Sequence, residues 1–160
     1  MIDVDKVNGN DGVLGPHREK EGSYYAIRKI FSPVHIRMAK LPDDFNGVIP
    51  EENRFHFTNL DKCVFTMKLV RFNKPGDWLT GFSVLSEQSV KSPDIAPGDK
   101  GTINLQLPAE WQQSDAIILT ANDQFNEEIY SWTSFSICWR RWDYRARVRN
   151  AVSTAAPPRF

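Results

Sequence analysis

Between residues 33 and 139 apolar side chains recur at alternate positions, and this spacing restricts the fold more than any other feature of the chain. The clearest run alternates Ile103, Leu105 and Leu107 with polar residues. Successive side chains of a β-strand point to opposite faces, so such a run predicts a strand with one buried and one solvent-facing side. The region is therefore expected to be all-β.

Seven segments have this character or are short apolar runs between turns. They lie at 34–38, 54–58, 63–69, 80–88, 102–107, 116–119 and 130–139. The apolar parity of the last segment changes around Thr133 and Ser134, which predicts a bulge there. A tight link at 59–62 and Pro-Gly turns at 74–77 and 96–99 separate the strands. Short strands joined by tight turns predict an immunoglobulin-like antiparallel β-sandwich of about seven strands.

One short helix is expected ahead of the sandwich. Residues 18–31 carry four side chains at helical spacing: Tyr24, Ile27, Arg28 and Phe31. Pro33 ends this helix, because the residue before a proline is pushed out of the α region. At the other end of the chain, residues 143–160 show no apolar period and are expected to form a basic, loosely ordered tail.

The charge of the chain argues against polyanion binding and its hydropathy against a membrane helix. Twenty basic residues balance twenty acidic ones. Arginines concentrate near the C-terminus with Trp142 and Tyr144 among them, and the remainder is acidic. Such a tail could contact nucleic acid, but the acidic remainder favours a solvated extension, so no nucleic-acid partner is predicted. No run of 18 apolar residues occurs, so no membrane partner is predicted.

Residues that could bind a metal or act as nucleophiles are few and scattered. His17, His35 and His56 form no grouping with metal-ligand spacing, so neither a metal site nor a cofactor is predicted. Cys63 and Cys138 lie on two predicted strands, but on opposite apolar parities. Two reduced, packed cysteines are therefore favoured over an inter-sheet disulfide, which stays open as the alternative.

Two acidic pairs are the candidates for acid–base chemistry. Glu51-Glu52 and Glu127-Glu128 both lie among polar residues in expected turns. A glycosidase needs two carboxyl groups across a cleft, one of them with a raised pKa. Nothing apolar beside these pairs would raise a pKa, so both are predicted to be solvated surface pairs. No catalytic residue is predicted, and this chain alone is not expected to be an enzyme.

Two tryptophans lie in predicted loops, where an indole could stack on a sugar or dock on a neighbouring domain. Trp78 and Trp111 stand beside proline, glycine and glutamine. The alternative is that each covers one end of the sandwich, and this interpretation is favoured.

Three stretches together resemble one known family. Residues 11–34 run from Asp11-Gly12 through Pro16-His17 and the predicted helix to Pro33-Val34. Residues 53–60 read N-x-x-x-F-x-N-L, and residues 121–132 contain Ala-Asn-Asp followed by Ile-Tyr-Ser-Trp. This combination resembles glycoside hydrolase family 2 enzymes of the long β-galactosidase type, where a catalytic barrel is followed by an immunoglobulin-like domain.

The resemblance implies a division of the chain and a function. Residues 1–32 would be the end of the catalytic barrel, with Asp11 and Gly12 at a strand end near the substrate pocket, and 33–142 the sandwich that follows. The family's catalytic glutamates match nothing here. The resemblance thus implies a non-catalytic structural domain of a retaining β-glycosidase, bacterial and either periplasmic or cytoplasmic. Its partners would be the barrel, neighbouring domains and, through the exposed helix, a second copy; the alternative is a carbohydrate-binding module using Trp78 and Trp111.

Overall fold

Two antiparallel sheets and one helix make up the described part of the chain. The computed structural model describes residues 13–15, 17–36, 41–42, 44–74 and 78–135. The elements in chain order are α1 (Gly22–Ile30), β1 (Val34–Ile36), β2 (Val48–Asn53), β3 (Val64–Phe72), β4 (Phe82–Val90), β5 (Lys100–Asn104), β6 (Ala116–Asn122) and β7 (Glu128–Phe135). Single 3-10 turns lie at Leu60–Lys62 and Trp111–Gln113.

The strand order is that of an immunoglobulin-like sandwich. One sheet has the order β1-β2-β5 and the other the order β4-β3-β6-β7, with all neighbours antiparallel. The chain crosses between the sheets after β2, after β4 and after β5, so the sandwich is closed by connections at both ends. The predicted fold, a seven-stranded all-β sandwich preceded by a short helix, is confirmed.

The core lies between the sheets and is built from alternate residues of their inner strands. β3 contributes Phe65, Met67 and Leu69, and β6 contributes Leu119 and Ala121. The three-stranded sheet and the loops supply the facing layer, with Val34, Ile36, Leu41, Phe45, Ile49, Ile95, Ile103, Leu105 and Trp111. Removing this apolar surface from water is the main term that holds the two sheets together.

The strand predicted at residues 54–58 is wrong, because the second strand is β2, which ends at Asn53. The following residues form a loop in which Phe57 is almost fully exposed. Pro50 hides β2 from sequence reasoning, because proline lacks the N–H that a central strand usually donates. Here Pro50 pairs with Thr102 at a position where the β2 backbone points away from β5, and β1 pairs with β2 only from Glu51 onward.

The bulge predicted at Thr133 and Ser134 is also wrong. Both residues pair with β6 without a break, opposite Ile118 and Ile117. Ser134 continues the inward parity, while Phe135 lies on the outer face of the sheet, where its ring centroid is 6.1 Å from that of Phe72. The contact with Phe72 accounts for the parity of Phe135, while Ile137 and Trp139 lie outside the described residues.

Two register irregularities occur elsewhere in the four-stranded sheet. One interrupts the pairing of β3 with β4 between Leu69 and Val70, and the other the pairing of β6 with β7 between Ala121 and Asn122. The pairing between the inner strands β3 and β6 is continuous. Each irregularity therefore lies where an outermost strand meets an inner one.

The predicted helix is confirmed over Gly22–Ile30, with Phe31 as its C-cap. Ser32 is buried, and its hydroxyl donates to the carbonyl oxygen of Val34 at 2.7 Å. This hydrogen bond connects the end of the helix to the first residue of β1. Cys138 and the basic tail at 143–160 lie outside the described residues, as does the centre of the turn at 74–77.

Candidate functional site

The motif at residues 53–60 forms a hydrogen-bond network, which we call the asparagine network, centred on Asn53 and Asn59. The Asn53 side chain is fully buried and donates to the carbonyl oxygens of Thr58 at 2.9 Å and Ile95 at 2.8 Å. Its side-chain oxygen accepts from the backbone N–H of Phe55 at 2.9 Å. Every polar atom of this side chain thus has a partner, as burial of an amide requires.

Asn59 contributes further hydrogen bonds to the asparagine network. Its side-chain oxygen accepts from the N–H groups of Asp61 at 3.0 Å and Ile95 at 3.2 Å, and its amide donates to Asp94 at 2.7 Å. Together the two asparagines tie the loop after β2 to the segment before β5. The residues that carry much of the family resemblance therefore have a structural role in this chain.

Glu51 overturns the prediction that Glu51-Glu52 is a solvated pair. Glu51 lies on β2 between Ile49 and Asn53 on the inward-facing parity, and only 3% of it is exposed. Among the residues that the structure describes, neither carboxylate oxygen has a hydrogen-bond partner. Burial raises the pKa of Glu51 to about 7, since a low-dielectric environment disfavours the charged form.

The surroundings of Glu51 do not make it a catalytic acid. Its directly opposed neighbours are Ile36 on β1 and Gly101 on β5, so no second carboxyl group faces it across the ladder. The free thiol of Cys63 is also buried. Burial, with the charge of Glu51 adding to it, raises the pKa of that thiol to about 11. The carboxylate oxygens of Glu51 and the thiol of Cys63 are therefore both buried groups.

Glu52, one residue further on, has the opposite environment. It lies on the outer face of the three-stranded sheet, paired with His35 on one side and Lys100 on the other. The Arg54 guanidinium donates to it at 3.3 Å, and the pKa of Glu52 is lowered mainly by that hydrogen bond. Glu52, His35 and Lys100 line a shallow hollow of about 160 Å³ together with Pro50, Glu51 and Gly101. The prediction of a surface position is therefore correct for Glu52 and wrong for Glu51.

The second acidic pair lies at the surface, as predicted, and it anchors α1. Arg28 donates to the carbonyl oxygen of Ile129 at 3.1 Å and to that of Glu128 at 2.6 Å. It also forms a salt bridge with the Glu128 carboxylate at 2.9 Å. Glu127 is exposed in the turn before β7. Within the part of the chain described, Arg28 is the polar link between α1 and the strands.

One side of α1 is apolar and exposed. No residue of the helix is buried, although it is amphipathic. Ile27, Ile30 and Phe31 lie on one side, and Phe31 is 77% exposed. We refer to these three residues as the helix patch. A cavity of about 360 Å³ separates part of the patch from Phe55 and Ile129 on the body.

The two loop tryptophans have different environments. Trp78 is fully exposed. Trp111 is buried to 8% exposure and packs edge-on against Phe45, with ring centroids 5.7 Å apart. Trp111 is thus the end cover that the favoured alternative predicts, and its ring cannot stack on a sugar. Asp11 and Gly12 lie outside the described residues.

Other classes of site find little support. Within the described ranges, no three His, Cys, Asp or Glu side chains are grouped closely enough to bind a metal ion. Among the same residues, no helix has the length and apolar character needed to cross a membrane. A scan of protein-family models and a search of curated proteins found no match to this chain.

Proposed function

We propose that this chain is a non-catalytic structural and interaction domain, of the kind that supports the catalytic barrel in family 2 glycoside hydrolases. The observation that carries the proposal is the helix patch. An amphipathic helix normally buries its apolar stripe, and the described residues leave Ile30 and Phe31 on the stripe of α1 largely exposed.

The energetics of the helix patch favour a docked partner. Isoleucine and phenylalanine side chains each gain about 1.5–3 kcal/mol when they are fully buried. Ile30 and Phe31 remain largely exposed and so leave most of this free energy unused. Arg28 meanwhile fixes the helix on the β7 end of the sandwich, which presents the patch in a defined orientation.

The core chemistry agrees with a supporting role. The buried polar side chains Asn53 and Ser114 are satisfied by backbone partners, which is typical of a scaffold. Glu51 is sealed from solvent, and Glu127 and Glu128 are solvated. No facing carboxyl pair of a glycosidase is formed by the described residues.

A binding experiment tests the proposal. The probe is the isolated catalytic barrel of a β-galactosidase of this type, without its own sandwich domain. Titration calorimetry should detect binding of the chain, and the double variant Ile30→Asp/Phe31→Asp should weaken it at least tenfold. The matched control is Phe57→Asp, which alters another exposed phenylalanine far from the helix patch in sequence and should leave binding unchanged. Equal binding by the double variant and the control contradicts the proposal.

An activity assay tests the non-catalytic part separately. The chain alone should hydrolyse no aryl β-galactoside above the buffer rate. Turnover that is lost in Glu51→Gln or Glu128→Gln would show that the chain is itself an enzyme.

Carbohydrate binding is the second candidate, and the exposure of Trp78 favours it. A fully exposed indole offers both ring faces to a sugar. Titration with galactosides and β-glucans should then change the tryptophan fluorescence of the chain, and Trp78→Ala should remove the change. The buried Trp111 serves as an internal reference. A spectrum that no sugar alters excludes this candidate.

A further inference from the structure

The open edge of β5 has a backbone that is ready to pair with another strand. Hydrogen bonds from Leu105 N–H to the Gly47 oxygen and from Asn53 N–H to the Asp99 oxygen, 2.8 and 2.9 Å long, lie at the two ends of this ladder. They show that odd-numbered residues of this stretch bond to β2. Because backbone groups alternate in direction along an antiparallel strand, the even-numbered residues point away from β2. These outward-pointing residues are Lys100, Thr102 and Asn104.

The outward-pointing edge of β5 lines a groove. Its volume is about 580 Å³, and its opposite wall is the segment 91–96 that leads from β4 to β5. Among the strands described, β5 pairs with β2 alone. Within the described ranges, the outward backbone groups of Thr102 and Asn104 form no hydrogen bond. The charged lining side chains are two lysines and two aspartates, Lys91, Lys100, Asp94 and Asp99, so they balance.

The sandwich is one strand short on this side. Three strands face four, and β1 contacts β7 across the core. With those strands opposed, β4 projects beyond β5 and has no strand in front of it. Its burial agrees with this position, because Phe82 to Leu85 are exposed in succession and only Val90 is buried. A strand added to β5 would lie opposite β4 and equalise the sheets.

The strand itself has few of the features that protect an edge from pairing. β5 contains no proline, and its register with β2 has no irregularity. Proteins guard open edges with prolines, bulges and inward charges. Here one lysine, Lys100, stands at the start of a five-residue strand about 17 Å long.

We propose that the β5 edge is a strand-addition site that binds an extended segment of a partner protein as the fourth strand of the sheet. The segment would be about five residues long, free of proline and uncharged, because the groove carries no excess of either charge. Its side chains would alternate between polar, beside Thr102 and Asn104, and apolar, beside Ile103.

A second copy of the chain fits this edge poorly. An antiparallel pair of β5 strands requires a twofold axis perpendicular to the sheet, which puts both cores on the same side. The projecting β4 would then occupy the place of the partner's own four-stranded sheet. A single extended segment meets no such obstacle.

The test uses the full chain labelled with ¹⁵N and a capped peptide of alternating threonine and valine, seven residues long. In the free chain, the amides of Thr102 and Asn104 should exchange with solvent quickly, and those of Gly101 and Ile103 slowly. Saturating peptide should slow the exchange of Thr102 and Asn104 at least tenfold. A peptide N-methylated at alternate positions has the same side chains but cannot pair, so it should have no effect.

Variants of the chain give the matching evidence. Thr102→Pro removes an outward N–H that the β2 ladder does not use, so the fold should persist while peptide affinity falls at least tenfold. Thr102→Val keeps the backbone and should bind within about twofold of the parent. Circular dichroism verifies that both variants are folded.

Four results would overturn the proposal. They are protected Thr102 and Asn104 amides in the free chain, no effect of saturating peptide, equal effects of the N-methylated peptide, and unchanged binding by Thr102→Pro. A concentration-dependent dimer that Thr102→Pro abolishes would show that a second copy occupies the edge instead.

Discussion

The carboxyl group of Glu51 is placed in the core without a hydrogen-bond partner, so stability should depend on its protonation. Its pKa is about 7 in the folded chain against an ordinary value of 4.5. Between these values the folded state binds more protons than the unfolded state. The free energy of unfolding should therefore fall as the pH rises from 4.5 through 7, by about 3 kcal/mol from this group.

Glu51→Gln should remove this dependence. The variant and the parent should differ little at pH 4.5, and at pH 8 the variant should be more stable by up to about 3 kcal/mol. Urea unfolding monitored by tryptophan fluorescence across this pH range measures the difference. Glu52→Gln, which alters the adjacent outer-face carboxylate, should keep the slope of the parent. A Glu51→Gln profile parallel to that of the parent contradicts the burial argument.

Asn53 is the residue whose loss should weaken the sandwich most for its size. Asn53→Ala leaves the Thr58 carbonyl and the Phe55 N–H without their side-chain partner, whereas the Ile95 carbonyl keeps the Leu60 N–H at 3.2 Å. The expected cost is about 3 kcal/mol, because each buried unpaired group costs about 1–3 kcal/mol and water reaches some of them. The melting temperature should fall by about 6–12 °C. Asn104→Ala, at an exposed position of β5, should change the melting temperature by less than about 2 °C. Equal shifts in the two variants would contradict a stabilising role for the asparagine network.

Among the secondary-structure elements, α1 should be the one most easily detached. Arg28→Ala removes its bonds to Glu128 and Ile129, and no side chain of the helix is buried to hold it in place. Hydrogen exchange measured by mass spectrometry should show faster exchange in residues 22–31 and unchanged exchange in β3. Lys29→Ala, at the adjacent exposed position, is the control. Unaltered protection of α1 in Arg28→Ala would mean that other contacts hold the helix.

A strand or helix could be predicted from the sequence where the spacing of its apolar residues matches the face that is buried in the structure. Alternation locates β3 and β5, and the helical spacing before Pro33 locates α1. β2 escapes prediction because Pro50 and two glutamates interrupt its apolar parity, and the tertiary pairing that tolerates them is not a local property. The burial of Glu51 is missed for the same reason, although Ile49 and Asn53 share its face.

The candidate surfaces are less predictable than the strands. Trp78 and Trp111 have similar neighbours in sequence, and only packing against Phe45 distinguishes the buried ring from the exposed one. The periodicity of α1 predicts an apolar stripe, but whether the chain covers that stripe depends on where Arg28 fastens the helix. The open edge of β5 follows from strand order, which alternation along a single strand does not contain.

For the molecule as a whole, Cys63 offers a measure of global opening. Its thiol is buried between the sheets with a pKa of about 11, so very little reactive thiolate is present at pH 8. In a Cys138→Ser variant, a disulfide reagent should label Cys63 only when the sandwich opens. The labelling rate should rise with urea in proportion to the unfolded population. Rapid, complete labelling in the absence of denaturant would show that the core is permeable.

The two register irregularities of the four-stranded sheet affect the tendency of the protein to aggregate at high concentration. They fall on the pairings of β4 and β7, the strands through which that sheet would recruit further molecules into a fibril. An extra residue sharpens the local twist and spoils the flat template that stacking requires. Both irregularities thus disfavour edge-to-edge assembly of this sheet, and repairing either one by deleting one residue should shorten the lag before amyloid dye fluorescence rises.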